Sequence, residues 1–190
     1  GSYSEALPIF RSNVSILEQS LGVDHFDLIE PLNNLAGCLC KLGIYADAEP
    51  IYHRSLKLRE KKSGPDHPDT ANALSNIASF HSYLGNFSKS EQLYKRSLSI
   101  LENNPGNSTP AVADVLINQA NLHTINGEHS KAEVALNRSL SIHITCFGAE
   151  SFETAKSMRS LASCLCHLKR IDEAETLYRQ CITIMKKRVG

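Results

Sequence analysis

The chain holds 190 residues, with 20 Lys+Arg balanced by 20 Asp+Glu, 42% hydrophobic and 6% aromatic residues, and no tryptophan. A formal net charge of zero supplies no long-range positive field for nucleic acid or an anionic membrane surface, and no apolar run approaches the roughly 20 residues that span a bilayer. These properties predict a cytoplasmic globular protein with neither nucleic acid nor membrane as a partner, and Gly1-Ser2 reads as a cloning remnant rather than the start of a signal peptide.

Written in rows of 42 residues, the sequence stacks Tyr3, Tyr45, Phe87, His129 and Ile171 in one column and Gly22, Gly64, Gly106, Gly148 and Gly190 in another. Self-similarity with a period of about 20 to 50 residues marks a solenoid, in which each unit buries its apolar face only against its neighbours. Residues 3–20 are predicted as the second helix of a truncated repeat, with Pro8 near a frayed start. In the next row, 28–62, Leu32, Leu35, Ala36, Leu39 and Leu42 recur at helical spacing. A turn at Gly43 to Tyr45 follows, then a second helix with Ala48, Ile51, Tyr52, Ser55 and Leu56. Pro31 falls early in the first of these helices and Pro50 near the start of the second. Rows 68–103, 110–146 and 152–188 repeat this helical hairpin. Helix-start chemistry precedes each of them, in Asp66-His67-Pro68, Ser108-Thr109-Pro110 and Ser151-Phe152-Glu153. Gly64, Gly106 and Gly148 fall just past the preceding helices, where a left-handed residue is cheapest.

Three further columns hold small residues: Ala36, Ala78, Ala120 and Ala162; Ala48, Ser90, Ala132 and Ala174; Ser55, Ser97, Ser139 and Cys181. Helices that cross about 8–10 Å apart admit only small side chains at the crossing point. Phe10, Tyr52, Tyr94 and Tyr178 share a large column beside them and are predicted to pack in the core. Cys38, Cys40, Cys164, Cys166 and Cys181 lie inside apolar helical segments and Cys146 closes another, a pattern of small buried thiols rather than a disulfide framework.

The segments Leu32-Asn33-Asn34-Leu35-Ala36, Tyr45-Ala46-Asp47-Ala48-Glu49-Pro50, Tyr94-Lys95-Arg96-Ser97-Leu98 and Gly64-Pro65-Asp66-His67-Pro68 resemble the long tetratricopeptide repeats of kinesin light chains and nephrocystin-type proteins. HEAT and armadillo repeats have similar periods, but the paired alanine columns favour the tetratricopeptide reading. The resemblance implies an all-α fold, a right-handed α-α superhelical solenoid of tetratricopeptide hairpins running through residues 1–190 as a single array. Residues 3–20 lack a first helix and the last row ends uncapped, so a fragment of a longer array is expected, with apolar ends open to self-association.

By the same resemblance the first helix of each hairpin lines a concave groove. The positions beside the Leu-Ala core columns would then face it: Glu30, Asn33, Asn34 and Gly37; Asn72, Ser75, Asn76, Ser79 and Tyr83; Asp114, Ile117, Asn118 and Asn121; Lys156, Arg159, Ser160 and Ser163. Asn34, Asn76 and Asn118 form a ladder one period apart. An amide offers an acceptor and two donors from a short side chain, so a row of them can grip an extended peptide backbone; the alternative is that they solvate a polar groove or bond to neighbouring helices. Kinesin light chains take acidic cargo peptides with an aromatic anchor, but Glu30 and Asp114 oppose that polarity here. Only the last hairpin offers cations, Lys156 and Arg159, with Lys169 and Arg170 at the following turn, either as a solvated basic rim or as a rest for the acidic end of a ligand.

No phosphate loop, zinc-protease or nucleophile-elbow motif occurs, so neither an enzyme nor a cofactor is expected. Cys38-x-Cys40 and Cys164-x-Cys166 project about 200° apart on a helix and cannot chelate one ion. His81 and His123 are expected to pack and hydrogen-bond between helices rather than bind metal. His25 and His67 are expected to stabilise turns, and Lys186-Lys187-Arg188 to complement a helix end. The expected function is protein–protein interaction, an adaptor or scaffold that binds a peptide or protein segment in the groove, with a cytoskeletal or ciliary association by family resemblance. The alternatives are the regulatory repeat array of a larger signalling protein and an assembly module working through its ends.

Overall fold

A computed structural model describes residues 3–104 and 109–189, and these are almost entirely helical. In chain order the helices are α1 (Tyr3–Leu21), α2 (Ile29–Lys41, preceded by a 3-10 turn at Phe26–Leu28), α3 (Tyr45–Ser63), α4 (Pro68–Tyr83), α5 (Phe87–Asn103), α6 (Thr109–Ile125), α7 (His129–Phe147), α8 (Phe152–His167) and α9 (Ile171–Val189). Two compact units divide the chain, Gly1–Ile100 and Leu101–Gly190, with the boundary inside α5. In the first unit α1 packs on α2, α2 on α3 and α3 on α4, and the 3-10 turn nests against α1, α2 and α3. In the second, α6 packs on α7, α7 on α8 and α8 on α9, with α6 also meeting α8. Each helix thus finds its apolar partner next to it in sequence, as repeat units require.

Helix ends follow from local chemistry. His67 is the N-cap of α4, its Nδ1 accepting from the Asp69 N–H at 3.2 Å, and His25 repeats the bond to Asp27 at 3.2 Å before the 3-10 turn. Ser151 caps α8 through Thr154 N–H at 3.0 Å. Gly22, Gly64 and Gly148 take the expected positive φ past α1, α3 and α7; Ser108, Gly106 and Gly190 lie outside the described residues. Pro31, third in α2, removes an N–H the helix start leaves free anyway. Pro8 and Pro50 depart from expectation: each stands sixth in its helix, past the four free N–H groups, so each removes an interior main-chain bond instead of occupying a frayed end.

All three small columns are buried, with Ala36, Ala78, Ala48, Ser90, Ser97 and Ser139 fully enclosed. The third column does more than admit a close approach. Ser55 Oγ donates to the Ile29 carbonyl at 3.2 Å, Ser97 Oγ to Ala71 at 2.8 Å, Ser139 Oγ to Ala113 at 3.0 Å, and Cys181 Sγ to Ala155 at 3.2 Å. Every one joins a second helix to the first helix of its own hairpin at the same register. Tyr52 and Tyr94 fill the adjacent large column as expected, whereas Phe10 and Tyr178 are half-buried.

The cysteines divide. Cys38, Cys164 and Cys181 are buried, and Cys38 and Cys164 donate to the Tyr3 and His129 carbonyls at 3.3 and 3.4 Å; Cys146 and Cys166, expected to be buried, are exposed. Both stand in the last turns of their helices, α7 and α8. All six are free thiols. On the outer surface Arg54, Arg96 and Arg138, one period apart, pair with Glu18 (2.5 Å), Glu60 (3.2 Å) and Glu102 (2.6 Å) of the preceding second helix. Such partly exposed pairs contribute little each, and the series stops at α9, where the in-phase residues are Gln180 and Ile144.

Two stability measurements check this packing. Ser97→Ala is expected to cost about 1 kcal/mol by losing one buried hydrogen bond, and Ser97→Val to cost a further 1–3 kcal/mol, roughly, by overpacking the crossing. Equal urea midpoints for the two variants would show that close approach is not the constraint. Within the hairpins the turn residues Gly43, Gly85 and Gly127 sit at φ 75°, 74° and 75°, and Lys169 takes the fourth such place at φ 64°. A Cβ there crowds the following carbonyl, so Lys169→Gly should raise stability by about 1 kcal/mol; an unmoved or lowered urea midpoint would contradict this.

Candidate protein-binding site

The first helices α2 and α4 of the first unit and α6 and α8 of the second bury Ala36, Ala78, Ala120 and Ala162, and each turns polar residues outward. Asn34, Asn72, Asn76 and Asn121 are exposed, and among the described residues their amides have no hydrogen-bond partner. Asn72 and Asn76, four residues apart, share one face of α4. Asn33 and Asn118 are half-buried, and Asn118 is already engaged. Tyr83, 60% exposed at the end of α4, carries the Lys41 ammonium from the end of α2 at 5.5 Å from its ring centroid. That cation–π contact joins the last residue of α2 to the last residue of α4 in the first unit.

In the second unit Lys156 Nζ pairs with Asp114 Oδ1 at 2.5 Å, tying α8 to α6. Lys156 is therefore partly neutralised by the acid that sequence reading set against it. Lys156 and Arg159 line one depression together with Phe152, Ala155, Cys181 and Met185. Arg159 is exposed and has no ion pair among the described residues.

Several positions expected in the groove turn inward. Ser75 and Ile117 are buried at 4% and 5% exposure. Ser79 shares a hydrogen bond with the Tyr94 hydroxyl at 2.8 Å, and burial pushes that phenol up to about 12, so it stays a neutral partner. Ser160 Oγ donates to the Lys156 carbonyl in its own helix. A 100° step per residue lets only part of the positions flanking an apolar stripe reach solvent; which part depends on how each helix is rotated, and sequence does not state that.

The paired histidines also diverge. His123 Nδ1 lies 2.7 Å from Glu128 Oε2, and bonds from Lys131 and His123 hold that carboxyl below its usual range. His81, expected to hydrogen-bond between helices, is 1% exposed with neither ring nitrogen partnered. Residue 86, which corresponds to Glu128, is Asn86; its main-chain N–H bonds the His81 carbonyl just as that of Glu128 bonds the His123 carbonyl, but it brings no carboxylate.

Among the described residues no helix is long and apolar enough to cross a membrane. No curated protein sequence matches the chain significantly. Among solved structures, a Podosopora anserina protein described as a kinesin light chain with nearly identical TPR-like repeats superposes with a TM-score of 0.73 at 18% identity, covering 98% of this chain and 88% of that one. BtubC (BKLC) from P. vanneervenii gives 0.78 at 18%, covering 98% and 75%. MamA gives 0.58 at 16%, covering 98% and 91%. At these identities the likeness establishes the fold, an all-α solenoid class built from tetratricopeptide hairpins. The tetratricopeptide-repeat family model matches residues 27–103 and 111–187, most of the chain, in phase with the hairpins and small-residue columns described above. The chain belongs to the tetratricopeptide-repeat family.

Proposed function

We propose that this chain is an adaptor module whose first helices hold an extended peptide or a protein segment. The tetratricopeptide fold is in general a protein–protein interaction module, and the finer reading rests on one observation: the exposed amides of Asn34, Asn72, Asn76 and Asn121 have no partner among the described residues. Unengaged donors and acceptors on rigid helices can take main-chain N–H and C=O groups of a guest with little loss of side-chain freedom. Tyr83 adds an aromatic surface beside this stripe in the first unit. In the second, the depression beside Arg159 joins a cation to an apolar floor, which suits a carboxylate next to an apolar side chain. Lys156 contributes less there because Asp114 already holds it.

Peptides selected from a random library on the full chain test this reading. They are expected to bind in the micromolar range, since an extended ligand must order on binding. Asn34→Ala combined with Asn76→Ala should weaken them about tenfold, two hydrogen bonds' worth, whereas Lys95→Ala on the exposed face of a second helix should leave affinity unchanged. Selected peptides indifferent to the double asparagine variant, or sensitive only to Lys95, would overturn the assignment.

A further inference from the structure

We infer that Glu49, His53 and His81 form a binding site for a divalent zinc-type metal ion in the first unit. One ligand atom from each lies within 4.8 Å of the other two. Glu49 and His53 stand four residues apart on one face of α3, and His81 comes from α4, which packs against it. Two nitrogens and a carboxylate oxygen make a donor set suited to zinc, and a fourth position is left to solvent.

The independent observation is His81 itself. Its ring is 1% exposed, set against Phe80 at 5.2 Å between centroids, and both of its nitrogens lack a hydrogen-bond partner. Buried polar atoms are nearly always satisfied, and the comparison within the chain is direct. One period on, His123 has its carboxylate in Glu128, and Lys95 stands where His53 would be, paired to Glu91 at 2.9 Å. Where the histidine has a protein partner the other two ligands are not both present; where it has none, they face it.

The geometry permits closure. A tetrahedral ion with bonds of about 2.0–2.1 Å holds its ligand atoms roughly 3.4 Å apart. His81 is the fixed anchor, while the half-exposed side chains of His53 and Glu49, 50% and 42% accessible, are free to contract onto it. Lys89, whose ammonium lies 3.7 Å from Glu49 Oε1, is the competing cation that the ion displaces. Burial first, and the Lys89 charge second, hold His81 below its ordinary pKa; Glu49 opposes that shift and His53 adds to it. The imidazole is thus in its neutral, ligating form at neutral pH. The sequence reading weighed His81 only against His123 and passed over the Glu49-x-x-x-His53 spacing on the neighbouring helix.

Zinc titrated into the metal-stripped full chain, in competition with a chromogenic chelator, tests the site. About one equivalent is expected to bind with micromolar or tighter affinity. His53→Ala and Glu49→Gln, both at accessible positions, should each weaken it about tenfold or more. His81→Leu, which installs the residue found at positions 39 and 165, should abolish it, with circular dichroism confirming the fold. Cobalt as a spectroscopic substitute should show a nitrogen and oxygen environment, and Cys146→Ser with Cys166→Ser should leave affinity unaltered. Absence of binding, affinity indifferent to His53→Ala and Glu49→Gln, or a thiolate-to-cobalt band lost in the cysteine variants would each overturn the proposal.

Discussion

The contact on which each hairpin depends is the point where its second helix comes within hydrogen-bond distance of a first-helix carbonyl. At Ser55, Ser97, Ser139 and Cys181 a single small polar atom reaches Ile29, Ala71, Ala113 and Ala155. A longer or branched side chain there would hold the helices apart, and an apolar one would forgo the bond. The alanine columns beside it exist for the same reason. The register this contact sets puts Tyr52 and Tyr94 into the space on one side and sends the Arg54, Arg96 and Arg138 guanidinium groups outward to the preceding second helix.

Because the column of Ala36, Ala78, Ala120 and Ala162 packs one face of each first helix, residues on the opposite face such as Asn34, Asn76 and Asn121 are left as polar surface. That division lets one scaffold separate stability from recognition. Substituting Asn34 or Asn76 touches no packing, whereas substituting Ala36 or Ala78 would. His81 departs from this economy. It occupies a packing column yet brings two unpartnered nitrogens into a buried place, and the cost is accounted for only if something outside the chain engages it.

The hairpins, turns and small columns were legible in the sequence because they depend on phase alone, and a 42-residue phase survives wide substitution. Side-chain direction was less so. Asn34, Asn72, Asn76 and Asn121 face solvent, as the family resemblance implied, but Ser75 and Ser79, at equally plausible offsets, turn to the core, Ser79 toward the Tyr94 hydroxyl of α5. Asp114 and Lys156 occupied one column, a spacing that already allowed a pair, yet only the neighbouring placement of α6 and α8 makes the ion pair. Glu49, His53 and His81 needed the register of α3 against α4, which no repeat pattern contains. Pro8 and Pro50 were misread because helices that start at Tyr3 and Tyr45, as the repeat predicts, put each proline sixth, beyond the four free N–H groups of a helix start.

The most direct check on the account is the side-chain amide spectrum of the nitrogen-15-labelled chain during titration with a selected peptide. The resonances of Asn34, Asn72 and Asn76 in the first unit should shift together and saturate with the main-chain signals of their own helices. Shifts confined to exposed second-helix residues such as Gln92 and Lys95, with those three amides unmoved, would contradict it.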